Sequence, residues 1–262
     1  MTYKTLFLDI DGTILRPDHT YASSTKEAIE QVQEQGMLVF ICTGRPLHEV
    51  KELGEELGVE GYIGYNGAYA IYEDNILVDE PINQNTFEQF LAVAKKNNHE
   101  IVCYTSDKNY FTSLMNPVMK NFSEVFQLKN NRILTQDVHS HILSLSLINV
   151  PPEQAKEYEA VNNDFYLSEV IVNGISNCYD VIRKRVNKGE AVKKVLQHIG
   201  VEPEQAIAFG DGMNDKEMLQ VVGEGFAMGN SNPDLFSYAK HRTTSVDDSG
   251  IYNGLKKLNL VE

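Results

Sequence analysis

The sequence predicts an α/β protein with a doubly wound parallel sheet as its core and a smaller α+β domain inserted mid-chain. Three observations lead there. Short apolar runs, Thr5-Leu6-Phe7-Leu8, Leu38-Val39-Phe40-Ile41-Cys42 and Ala206-Ile207-Ala208-Phe209, each stop abruptly at polar residues, as strands buried on both faces of a parallel sheet do. Helical spacing separates these runs at both ends of the chain. Between about residues 82 and 182 the pattern changes to the two-residue alternation of hairpins.

After the first run, residues 24–35 carry helical spacing, with Ser24 as the expected N-cap and Gly36 as the stop. The second run follows. A helix then spans residues 46–57 and ends at Gly58, and Tyr62-Ile63-Gly64-Tyr65 reads as a short strand. Strand, helix, strand, helix, strand implies right-handed parallel crossovers. Phe87 to Asn97 is helical, while Glu100 to Thr105 and Asn109 to Ser113 alternate across the Ser106-Asp107-Lys108 turn. A strand is expected between His141 and Val150, then a Glu-rich helix opened by Pro151-Pro152. Val170-Ile171-Val172 and Cys178 to Ile182 are expected to form a strand pair. From Gly189 the alternation resumes: helix 190–199, strand 206–209, helix 215–222, strand 225–228 and a last helix near 251–258. The core is therefore discontinuous, built from residues 1–82 and 183–262 around an insert at 83–182.

Composition narrows the function. A net charge of −14 argues against nucleic acid as a partner, because binding a phosphate backbone leans on clustered Lys and Arg. No 18-residue apolar stretch occurs, so no membrane partner is expected. The three cysteines, Cys42, Cys103 and Cys178, are widely spaced with no C-x-x-C; they read as reduced, packed thiols. Asp9 stands where a signal peptide would need apolar residues, and a cytoplasmic location is expected. Oligomeric state has no signal in the sequence.

The chemistry gathers at the strand ends, which in open parallel sheets face one crevice. Asp9 and Asp11 stand two apart where the first run ends, and a period of two would point both side chains the same way. Carboxylates that close repel unless a cation lies between them or one is protonated. Mg²⁺ suits the pair, since it takes oxygen ligands and favours sites completed by substrate phosphate. On this pair alone, a metal site and an ordinary Asp-rich turn weigh equally. Asp211-Gly212-Met213-Asn214-Asp215 repeats the arrangement after another buried run. Asp211 would complete the metal site, with Asn214 and Asp215 capping a helix or orienting its neighbours. Thr43-Gly44-Arg45 offers a hydroxyl and backbone N–H groups to phosphate oxygens. Lys188, just before a helix, stands where a lysine is usually solvated, but a site with three carboxylates and a phosphate needs one balancing cation.

Taken together, D-I-D-G-T at Asp9, T-G-R at Thr43, Lys188 and G-D-G-M-N-D at Gly210 resemble the haloacid dehalogenase-like phosphatases, in particular the Cof-type branch. Asn66-Gly67-Ala68 and Ala227-Met228-Gly229-Asn230 are similar to that branch's secondary signatures. The resemblance implies a Rossmann-like core with an inserted α+β cap that sets substrate specificity. It implies a Mg²⁺-dependent phosphatase of small soluble phosphate monoesters: sugar phosphates, nucleotides, pyridoxal phosphate or flavin-type phosphates. Asp9 would be the nucleophile, forming an aspartyl phosphate, and Asp11 the general acid and base. Thr43, Gly44, the backbone of Ile10, Lys188 and Asn214 would hold phosphate. Asp9, Asp211 and the backbone carbonyl of Asp11 would hold the metal, with Asp215 orienting them. The same site would also serve a sugar phosphomutase. A phospho-accepting signalling module shares the carboxylates, Thr and Lys but needs about half this length.

Other features read as structural. His139 and His141 form an H-x-H with no third ligand nearby in sequence. Tyr104, Tyr110, Phe111, Phe122 and Phe126 are expected in the core of the insert. Lys256-Lys257 is a helix C-terminal charge pair.

Overall fold

A computed structural model describes residues 2–262. The chain forms two units: one comprises residues up to Arg45, Val50–Asp79 and Val186–Glu262, the other Glu80–Arg185 with Pro46–Glu49.

The first unit is the expected α/β sheet. In chain order it contains β1 (Thr5–Leu8), α1 (Ser23–Glu34), β2 (Leu38–Cys42), most of α2 (Leu47–Glu56), β3 (Gly61–Gly64), β4 (Tyr69–Tyr72) and β5 (Asn75–Asp79). The inserted unit contributes α3 (Gln84–Asn97), β6 (Glu100–Tyr104), β7 (Asn109–Phe111), α4 (Pro117–Val125), β8 (Asn131–Ile133), β9 (Ser144–Ile148), α5 (Pro152–Glu159), β10 (Phe165–Glu169) and β11 (Tyr179–Arg183). The first unit then resumes with α6 (Lys188–Ile199), β12 (Ala206–Gly210), α7 (Lys216–Val221), β13 (Glu224–Ala227), β14 (His241–Arg242) and α8 (Gly250–Lys257).

The large sheet runs β14-β13-β12-β1-β2-β3-β4-β5, with every pair parallel through β3. Alternating side chains of its strands go to opposite faces. Phe7, Phe40, Ala206 and Ala208 pack with Val192, Val195 and Leu196 of α6 and Met218 and Leu219 of α7. On the other side Gly254 of α8 lies against the rings of Phe209 and Phe226, which stack at 4.6 Å. Both faces are covered, so the central strands β2 and β12 carry no polar side chain, each fully buried large apolar one contributing about 1.5–3 kcal/mol.

Two local expectations fail, and one hairpin was not foreseen. Ser24 does not cap α1: the N-cap is Ala22 without a side-chain bond, and the Ser24 hydroxyl donates to Ser249 Oγ at 2.8 Å. The β4–β5 hairpin is antiparallel and closes the sheet edge, although the spacing gave no sign of it. Its two-residue turn is Glu73-Asp74, at φ 47° and 61°, a left-handed turn made without the usual Asn-Gly signal. In the inserted unit, Val170-Ile171-Val172 is not a strand. The partner of β11 is Phe165–Glu169, and Ile171 is 87% exposed in the connection.

The inserted unit is a six-stranded sheet of order β10-β11-β9-β6-β7-β8, antiparallel except for β7–β8. One face buries Ile101, Cys103, Leu145, Leu147, Tyr179 and Val181 against Phe87, Phe90 and Ala94 of α3 and Tyr158 of α5. By alternation the opposite face carries Tyr104, Ser146 and Asp180. Ser146 donates to Asp180 Oδ1 at 2.6 Å and lies 3.1 Å from the Tyr104 hydroxyl. Burial pushes the Asp180 carboxyl up, and the Ser146 bond partly offsets this. Tyr104, Phe111 and Phe122 are buried as expected, whereas Phe126, past the end of α4, is 38% exposed. His139 packs edge-on to Phe87 and reaches Glu88 at 3.4 Å. Among the described residues, neither it nor His141 belongs to a cluster with metal-ligand spacing.

Candidate active site

From β1 the sheet grows in two directions, to β2 and β3 on one side and to β12 and β13 on the other. Strand order reverses there, and the loops at the carboxyl ends part to leave a crevice. Asp9 follows β1, Thr43 follows β2, Asn66 follows β3, Asp211 follows β12 and Asn230 follows β13.

Asp9 is 6% exposed, and its N–H donates to the Phe209 carbonyl at 3.1 Å, one step beyond the β1–β12 ladder. The chain then tightens. The carbonyl of buried Ile10 accepts from Ile14 at 2.9 Å and Leu15 at 2.7 Å, and Gly12 adopts φ +82°. A Cβ at Gly12 would be strained and would run into the Asp211 carboxylate.

That turn separates the two acids that sequence spacing placed on one side. The strand ends at Leu8, so a period of two no longer applies. Asp9 is buried, while Asp11 is exposed. Arg45 grips Asp11 through both carboxylate oxygens, Nε at 2.8 Å from Oδ2 and Nη2 against Oδ1. The charge partner of the Asp11 side chain is thus a guanidinium, and the carboxylate cluster is instead Asp9, Asp211 and Asp215, with one oxygen from each within 4.8 Å of the others.

Lys188 anchors that cluster. Asn187 caps α6, its Oδ1 accepting from Glu190 N at 2.9 Å. Lys188, the first helical residue, is fully buried, with Nζ 2.5 Å from Asp9 Oδ1 and 2.6 Å from Asp215 Oδ1. Burial opposes the ammonium, but Asp215 and Asp9 outweigh it and hold its pKa above the ordinary lysine range. Asp215 spends its other oxygen on the N–H groups of Asp211 and Gly212, both at 3.0 Å. Its carboxylate is therefore a brace for the loop and the lysine.

Three carboxylates face one ammonium. Burial first, then Asp215, push Asp9 well above the usual carboxylate range and Asp211 up to about 6. An added cation would relieve this crowding, and the all-oxygen donor set suits a hard divalent ion. Asp9 and Asp211 fit that role. Thr13 donates to Asp211 Oδ1 at 3.3 Å.

Around the cluster stand the residues expected to meet phosphate. Thr43 is buried, its N–H on the Ile63 carbonyl at 2.8 Å and its hydroxyl accepting from Arg45 N at 3.1 Å. Gly44 lies against the Asn66 side chain. Asn66, in the left-handed region at φ 53°, donates from its N–H to the Thr43 carbonyl at 3.1 Å. Its Oδ1 accepts from Asn214 Nδ2 at 3.0 Å. Cys42, at the end of β2, is a buried thiol that burial pushes up, so it offers no nucleophile. Sequence reasoning gave no role to Arg45, Asn66 or Asn230. Their signal was membership of the motifs T-G-R, Asn66-Gly67-Ala68 and Ala227-Met228-Gly229-Asn230, each within three residues of a strand end.

A buried lysine braced by carboxylates, beside a threonine turn at the carboxyl edge of a doubly wound sheet, defines an α/β enzyme. Residues 6–255 match the haloacid dehalogenase-like hydrolases, and the chain belongs to that family. It is 32% identical over 265 residues to the provisionally named phosphatase YkrA of Bacillus subtilis (strain 168), covering 100% of both chains. Among solved structures it is similar to a hypothetical protein from Geobacillus kaustophilus HTA426, with 28% identity, 99% and 100% of the two chains covered and a TM-score of 0.89. It is also similar to the subclass IIB sugar phosphatase BT4131, with 26% identity, 98% and 100% covered and a TM-score of 0.82. Among the described residues, no helix is long and apolar enough to cross a membrane.

Proposed function

We propose that the protein is a Mg²⁺-dependent, cytoplasmic phosphatase of small phosphate monoesters that works through an aspartyl phosphate on Asp9. The carrying observation is Lys188, buried between Asp9 and Asp215 beside the Thr43 and Asn214 loops. An Asp9 oxygen attacks phosphorus, the ester P–O bond breaks, and the leaving oxygen takes a proton from Asp11. Water then attacks the phosphoryl group and gives its proton to Asp11, and the P–O bond to Asp9 breaks to restore the carboxylate. The exposed Asp11–Arg45 pair must part for this, at a cost of roughly 0–1 kcal/mol. Thr43, Gly44, the backbone of Ile10, Lys188 and Asn214 hold the phosphoryl oxygens. Asp9, Asp211 and the carbonyl of Asp11 would hold Mg²⁺, and Asp215 keeps Lys188 and the Asp211 loop in place. When bound, the ion offsets phosphoryl charge and aligns nucleophile and phosphorus. Screening the purified protein for phosphate release from a panel of phosphorylated metabolites tests the reading; a panel with no hydrolysis at all refutes it.

The cation claim yields a direct result. EDTA should abolish turnover and Mg²⁺ restore it, with Ca²⁺ a poor substitute because its looser coordination misaligns the reacting atoms. Full turnover in excess EDTA would refute it.

We also assign substrate choice to residues 83–182. Within that segment Tyr104, Ser146 and Asp180 form one hydrogen-bonded row in which Tyr104 and Ser146 are buried and Asp180 is half-buried. Asp180→Asn should reorder substrates by kcat/KM, by about 10-fold or more between sugar and non-sugar esters, with the Mg²⁺ requirement unchanged. An unaltered ranking on the same panel would argue against it.

A further inference from the structure

Asn230 has no part in the chemistry above, yet its amide is used on every side. It lies in the turn after β13, where Ser231 N donates to the Met228 carbonyl at 3.0 Å and Gly229 N to the Thr244 carbonyl at 2.9 Å. Asn230 Oδ1 accepts from Val246 N at 2.9 Å. That bond fixes which end of the amide faces the site, so Nδ2 is the end turned inward. Nδ2 donates to the Gly12 carbonyl at 2.8 Å and to Asp211 Oδ2 at 3.3 Å. One side chain therefore ties the turn after β1, the loop after β12 and the segment leading into α8.

Asp211 is thereby held from two directions, Oδ1 by the Thr13 hydroxyl and Oδ2 by Asn230. Each oxygen has a second lone pair, so two single donors fix the carboxylate plane and leave acceptor capacity for a cation. The Gly12 bond adds a constraint: the residue whose Cβ would collide with Asp211 is pinned by the same amide. We propose that Asn230 is a positioning residue that presets Asp211 for the divalent ion. This rests on the reading of Asp211 as a metal ligand. Outer partners of metal ligands typically account for about 10–100-fold in metal affinity, and the 3.3 Å bond to Asp211 points to the lower end, about 10-fold.

The test is Mg²⁺ binding to the metal-stripped protein by titration calorimetry, beside its thermal midpoint in EDTA. Asn230→Ala should weaken the Mg²⁺ dissociation constant by about 10-fold, and Asp211→Asn should abolish binding. If Asn230→Ala does not fold, Asn230→Gln, which displaces the same amide by one methylene, is expected to show the same loss. A purely structural Asn230 would lower the midpoint in EDTA and leave the dissociation constant at its wild-type value, which would overturn the proposal. Wild-type affinity in Asp211→Asn would instead overturn the assignment of Asp211, and this proposal with it.

Discussion

Asp9→Asn should lower kcat/KM by at least ~10³-fold, because the amide cannot open the covalent route. The result is interpretable only beside Asp11→Asn, since the two acids differ in surroundings rather than in chemistry. Asp9 is buried against Lys188, and Asp11 is exposed against Arg45. On the proposed assignment, Asp11→Asn keeps the nucleophile but loses the proton donor and the base for water. With an aryl phosphate, whose leaving group needs little protonation, the first step should still proceed and the second should stall. Acid-quenched Asp11→Asn protein should then carry a labile phosphoryl adduct on Asp9, detected by mass spectrometry. The wild type should carry little. An adduct mapped to Asp11 or Asp211, or near-normal turnover in Asp9→Asn, would mean that the wrong carboxylate has been assigned.

The contrast between the two acids also marks where the sequence stops being informative. The strand ends were legible because continuous apolar runs have one common explanation, burial on both faces, and because the residue following each run must then lie at the sheet edge. Asp9, Thr43 and Asp211 could be placed on that logic. The orientation of Asp11 could not, since it depends on the turn closed by the Ile10 carbonyl and on an arginine 34 residues away. The roles of Asn66 and Asn230, which the sequence marks only as parts of secondary signatures, were unreadable for a related reason. An amide after a strand resembles any turn former, and only the folded loops show that one braces Asn214 and the other Asp211. The Glu73-Asp74 turn and the exposed Val170-Ile171-Val172 segment show the same limit in reverse. In each case tertiary context overrode local composition.

Lys188→Met should be the most damaging single change to the first unit. The substitution keeps much of the side chain's length and removes only the ammonium, which leaves Asp9 and Asp215 buried with no basic partner. Breaking a buried pair in this way costs about 3–5 kcal/mol, or roughly 6–20 °C in thermal midpoint at 2–4 °C per kcal/mol. Activity should fall at least ~10²-fold as well, since the proposed phosphate site loses its ammonium. The loss should depend on pH with a definite sign. Burial and Asp215 already raise the Asp9 carboxyl, and Lys188 is the group pulling it down, so the variant raises it further. A carboxyl raised in the folded state carries no penalty below its unfolded value of about 3.9, and the penalty accumulates as pH rises toward the folded value. Metal-free Lys188→Met should therefore approach the wild type in stability near pH 4 and fall furthest behind at neutral pH. Denaturant unfolding of both proteins in EDTA at the two pH values measures this directly. A deficit that is equal at both would show that Lys188 acts through packing and that its charge contributes nothing to the site.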